Sequence, residues 1–130
     1  MNRCASLLVT LALAATLAPA SAQGTLQRNF SPAALRGRIA FGTPPAITLN
    51  RQPATLAVGA RIHGQNNLLV LSGTLNGLTA EVDYTTDLEG KVREVWILTD
   101  AEAANKPWPR TPAEAAAWTF DPVGQTWTKP

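Results

Sequence analysis

The sequence predicts a mainly β protein: a small antiparallel barrel or sandwich of about six strands, with two short C-terminal helices and a terminal aromatic hairpin. Between residues 35 and 99, short runs of alternating apolar and polar side chains recur, each closed by glycine, proline or asparagine. No 3.6-residue period interrupts them. After residue 99 the grammar changes, and a Thr-x-x-Glu spacing appears twice.

Leu35 to Phe41 opens the series, with Leu35, Ile39 and Phe41 on one face and Arg36 and Arg38 on the other. Gly42-Thr43-Pro44-Pro45 ends that run, since proline cannot donate to a ladder. Ala46 to Leu49 is a second strand, and Asn50-Arg51 is a tight turn because asparagine tolerates the left-handed conformation. Gln52 to Val58 returns, and Gly59 permits a bend into Ala60-Arg61-Ile62. A polar loop from His63 to Asn67 precedes an apolar run from Leu68 to Leu71, and Asn76-Gly77 is the strongest two-residue hairpin signal. Leu78, Ala80, Val82 and Tyr84 alternate with polar neighbours up to Asp87-Leu88-Glu89-Gly90, a type I turn with a left-handed glycine. That turn pairs Asp87 with Lys91, Val82 with Trp96 and Ala80 with Leu98, which places Trp96 in the core. Trp96 to Leu98 is apolar on both faces, so its outer side needs a cover.

The cover is expected from residues 100–130. Thr99 with Glu102 and Thr111 with Glu114 have capping-box spacing, and Pro112 suits the first helical position. Two helices of one or two turns follow, joined by Lys106-Pro107-Trp108-Pro109-Arg110; helices so short persist only when docked. Trp118-Thr119-Phe120 and Thr126-Trp127-Thr128 flank a turn and read as a miniature hairpin.

The first 22 residues have the three-part layout of a secretory signal peptide. Met1-Asn2-Arg3 is basic, Ala5 to Ala18 is mostly apolar, and Pro19-Ala20-Ser21-Ala22 supplies small residues before Gln23. The apolar run is short of the roughly 20 residues a membrane-spanning helix needs. Cleavage after Ala22 would remove Cys4, the one cysteine, and leave an exported, disulfide-free domain, periplasmic or secreted. Residues 23–34 look like a loose N-terminal arm, residues 35–99 the barrel and residues 100–130 the cover. With one histidine and no cysteine after cleavage, a Cys/His zinc site is excluded, and no phosphate-cradling glycine loop or other cofactor motif appears.

This order of strands, "ITLNRQPATL", "VGARI" and a long hairpin ending "VWIL", resembles the pattern of small exported bacterial proteins, themselves uncharacterised, with an OB-like barrel; an SH3-like barrel is the alternative. The resemblance spans about residues 35–99. It implies a fold and no particular activity; OB-like barrels take oligonucleotides or oligosaccharides, and that association rests on fold alone.

Charge suggests the function class. Residues 23–80 carry Arg28, Arg36, Arg38, Arg51 and Arg61 with no acidic residue, whereas residues 81–130 hold all nine Asp/Glu against five Lys/Arg. Arg36 and Arg38, about 7 Å apart on one strand face, could with Arg51 and Arg61 line a basic groove for another envelope protein or an anionic envelope polymer. The same split could simply neutralise itself across the folded body. Trp108, between prolines, and Trp127, near the end, are the tryptophans expected to be exposed, and a carbohydrate-binding module using them is the alternative function. Nucleic acid is a poor match to an exported chain of such modest charge. Glu81 and Asp83 share a face as a glycosidase pair would, and His63 could join Ser72, but no G-x-S-x-G turn surrounds that serine. The expectation is a binding domain and not an enzyme.

Overall fold

A computed structural model describes residues 27–130; the leader expected over residues 1–22, and residues 23–26, lie outside the described part. Five strands close a barrel: β1 (Leu35–Phe41), β2 (Ala46–Leu49), β3 (Gln52–His63), β4 (Thr79–Thr86) and β5 (Val92–Ile97), in the circular order β1-β2-β3-β5-β4. Two short helices, α1 (Asp100–Ala104) and α2 (Pro112–Ala117), follow, and β6 (Thr119–Asp121) pairs with β7 (Thr126–Thr128) in a separate two-stranded sheet. This closed five-stranded circuit is a small β-barrel, the fold class expected from the sequence. It is not wholly antiparallel: β3 and β5 run parallel. An odd number of strands cannot close a ring with every neighbour reversed, so one parallel junction is unavoidable.

Local chemistry sets the turns. Asn50 and Arg51 both take positive φ, 50° and 68°, and join β2 to β3 in two residues. Gly90, at φ 83°, ends the turn from Asp87, whose amide donates to the Lys91 carbonyl at 2.9 Å. The Asp87–Lys91 pairing is therefore as the turn dictates, yet the register slips beyond it. Thr85 lies opposite Glu94 and Thr86 opposite Val92, which leaves Arg93 as an extra residue. This β-bulge moves every later residue of β5 by one, so Val82 meets Ile97 and Trp96 meets Asp83. The predicted Val82–Trp96 pair does not form. Trp96 turns to the outer surface, while Val92, Val95 and Ile97 point inward.

The segment from Leu68 to Leu71 is not a strand, and Asn76-Gly77 does not close a hairpin. A 3-10 turn at Ser72–Leu75 precedes Gly77, at φ 90°, which leads into β4. This connection links strands that are not neighbours in the ring, so no ladder is available to it apart from a single bridge between His63 and Leu69.

Inside the ring, Leu35, Ile39, Phe41, Ile47, Leu56, Ile62, Val82, Tyr84, Val92, Val95 and Ile97 form one apolar core. A second cluster lies outside, where Phe30, Ala34, Leu98, Trp108 and Trp127 pack together with Trp96, Trp118 and Phe120 against them. Both helices are capped by threonine. Thr99 and Glu102 form the full capping box, whereas Thr111 accepts from the Glu114 amide and the Glu114 carboxylate takes the amide of Arg110.

Residues 27–34 are not a loose arm. Arg28 and Phe30 are buried, and the Phe30 amide donates to Gln125 Oε1 at 2.7 Å. Arg28 donates to the carbonyls of Gly64 and Ile97 and, through Nε at 2.9 Å, to Glu102. Burial alone would raise the Glu102 carboxyl, but the hydrogen bonds from Arg28 and Thr99 hold it below its ordinary range. The arm is thus a strap tied to barrel and cover together. No helix among the described residues is long and apolar enough to cross a membrane.

Candidate functional site

The charge split reappears as cross-strand pairing. The register sets Arg36 opposite Asp83 and Arg38 opposite Glu81, so basic β1 lies against acidic β4. The two pairs differ sharply in environment. Arg36 is 3 % exposed, held by Asp83 through Nε at 3.0 Å, by the Asn105 carbonyl and by the face of Trp108, 4.9 Å from its guanidinium. Sequence alternation put Arg36 on the outer face correctly, but the cover lies over that face. The expectation that Arg36 shares an open surface with Arg38 is therefore corrected: its guanidinium is committed to docking. Burial pushes the Asp83 carboxyl from 3.8 up to about 6, against the opposing pull of Arg36.

Two residues further along β1, beyond the cover, Arg38 is open. Its side chain is 61 % exposed, and its contact with Glu81 is long, 3.4 Å. Such an exposed pair contributes little and leaves both ends available. The β2–β3 turn is clamped beside it, with the Arg38 amide donating to Asn50 Oδ1 and the Asn50 amide to the Arg38 carbonyl, both at 2.9 Å. That brings exposed Arg51 over the same surface. On the other side, the link between the helices runs along the edge of β1 that β2 leaves unpaired, and the Arg36 amide donates to the Pro109 carbonyl at 2.8 Å. Arg110 follows immediately. The result is an open groove of about 350 Å³ lined by Arg38, Ala40, Thr48, Asn50, Arg51, Thr79, Glu81 and Arg110.

Three arginines thus line one groove whose single carboxylate is Glu81. Arg61 does not line it; it lies opposite Glu94 at the β3–β5 junction. Arg110 was missed by the sequence reading, and no periodicity could have marked it, because its place depends on how the PWPRTP link docks.

The tryptophans do not form an exposed platform. Trp108 is 4 % and Trp127 5 % exposed, edge-to-face with each other at 6.1 Å between ring centroids. Trp108 Nε1 also donates to the Ala34 carbonyl at 3.0 Å. Neighbouring prolines and closeness to the chain end suggested exposure, but a small body without disulfides needs that aromatic area for packing. Neither residue offers a face on which a sugar ring could stack, and this removes the basis of the carbohydrate-binding alternative.

The remaining chemical candidates are dispersed. His63 stacks on Trp96 with centroids 5.5 Å apart and bonds Glu94 at 2.9 Å. Glu81 and Asp83 share the outer face of β4, but each faces its own arginine. Among the described residues no group of His, Cys, Asp and Glu is placed to hold a metal ion. Comparison with family models, curated proteins and solved structures gave no match.

Proposed function

We propose that the protein is an exported, non-enzymatic binding domain whose groove at Arg38, Arg51 and Arg110 receives an anionic component of the cell envelope. The observation that carries this reading is that three exposed arginines line one concavity with a single, loosely held carboxylate. Guanidiniums present forked donors suited to carboxylate, sulfate and phosphate oxygens. The leader-like first 22 residues support the location, and the inward commitment of the tryptophans leaves the cationic groove as the better-equipped surface.

The test is binding to dextran sulfate, a soluble polyanion. Affinity should fall steeply as salt rises, because the screening length shrinks from about 10 Å at 0.1 M to about 3 Å at 1 M. Arg38→Glu with Arg110→Glu should abolish it, whereas Arg61→Glu, outside the groove, should leave it near wild type. Equal losses from both would mean that diffuse charge, and not the groove, does the binding.

A further inference from the structure

The cationic groove does not end at β4. A second hollow of about 720 Å³ begins on the same residues: Thr79 and Glu81 line both. Its wall carries no arginine or lysine; Val70, Leu75, Leu78 and Ile97 line it together with Gln65, Asn66 and Asp100. It is bounded by the connection from Gly64 to Leu78, which forms no ladder beyond one bridge. Leu75 of that connection packs on the core, but four of its other leucines are exposed. Leu68 and Leu69 are each 65 % exposed, Leu71 78 % and Leu78 41 %. Single exposed leucines are ordinary on a protein surface, but four fall within eleven positions of the connection that bounds this hollow, and Leu78 is part of its lining.

We infer that the two hollows form one site for an anionic lipid at a membrane surface, with Arg38, Arg51 and Arg110 on the headgroup and the leucine-bearing connection against the acyl region. The inference rests on the anion-binding reading and narrows it. All three arginines lie on one side of Thr79 and Glu81, and the connection that bears the exposed leucines bounds the hollow on the other, which is the division within an amphiphile; a polysaccharide would leave the leucines in water. The rim carries Glu81 and Asp100 against three arginines, so the electrostatic attraction is net favourable but modest. Insertion of the leucines must supply the rest.

The experiment uses the chain beginning at Gln23, which keeps every described residue and lacks the apolar leader, itself able to partition into lipid. Co-sedimentation is measured with vesicles of phosphatidylcholine alone and of phosphatidylcholine with phosphatidylglycerol, and dextran sulfate binding is measured in parallel. Wild type should bind the anionic vesicles and not the neutral ones. Combined Leu68→Ser, Leu69→Ser and Leu71→Ser should lower vesicle binding at least about tenfold and leave dextran sulfate binding unchanged. Arg38→Glu with Arg110→Glu should lower both at least about tenfold. These side chains are exposed, and unchanged near-ultraviolet circular dichroism from the buried tryptophans verifies each fold. If the leucine variant binds vesicles like wild type, or wild type binds dextran sulfate but no vesicle, the lipid inference falls and the anion groove stands. Equal binding to neutral and anionic vesicles also overturns it, because the headgroup would then go unread. Failure to bind either probe removes both readings.

Discussion

Asp83 is the residue at which burial and charge compete most directly. It is fully buried against Arg36, and its carboxyl titrates at about 6 where an ordinary one titrates at 3.8. The folded state therefore holds this proton more tightly than the unfolded chain does. The stability contributed by the group is present in full below pH 3.8 and is lost as pH rises through about 6. A gap of roughly two pH units corresponds to about 3 kcal/mol. Glu102 works in the opposite sense: its lowered carboxyl contributes stability above the ordinary value of 4.5 that is lost on acidification. Whole-protein pH curves would mix the two. Asp83→Asn resembles the protonated form in shape and keeps an acceptor for Arg36, so the difference between wild type and this variant isolates Asp83. Urea unfolding at a series of pH values should show wild type losing about 3 kcal/mol relative to the variant between about pH 3 and about pH 7. A flat difference, or one of opposite slope, would mean that attraction to Arg36 outweighs desolvation, and the account of this pair would be refuted.

Two further outcomes follow from the cover. Trp108→Ala should cost about 3–5 kcal/mol in the same unfolding assay, since the ring is buried against Phe30, Phe120, Trp127 and Arg36; a loss below about 1 kcal/mol would show the second cluster to be dispensable. Thr99→Ala should cost about 1 kcal/mol by removing the capping box of α1, read as a lower denaturation midpoint at unchanged slope.

The barrel was legible because its determinants are local. Period-two alternation identified the inward residues of β1 and β4, and Asn50-Arg51 and Asp87–Gly90 contain the chemistry of their own turns. The Thr-x-x-Glu echo was read as capping for the same reason. What escaped detection was set by closure. The bulge at Arg93 depends on fitting β5 between β3 and β4, and it alone transfers Trp96 from core to outer face. Arg36 and Arg38 look equivalent in sequence, two positions apart on one strand face. The docked cover makes one a buried anchor and leaves the other free to line a groove. Trp108 and Trp127 were misplaced because prolines and chain ends report backbone habit, not what packs on it. Arg110 was invisible until the helix link had a position.

The strap carries a consequence for the order of events in biogenesis. Phe30 waits for Gln125, 95 positions downstream, and Arg28 for Glu102, 74 positions downstream. A polypeptide released N-terminus first holds Arg28 without Glu102, and Phe30 without Gln125, until those residues have emerged. The strap therefore closes on the cover late, after the barrel residues Gly64 and Ile97 that Arg28 also holds are already present.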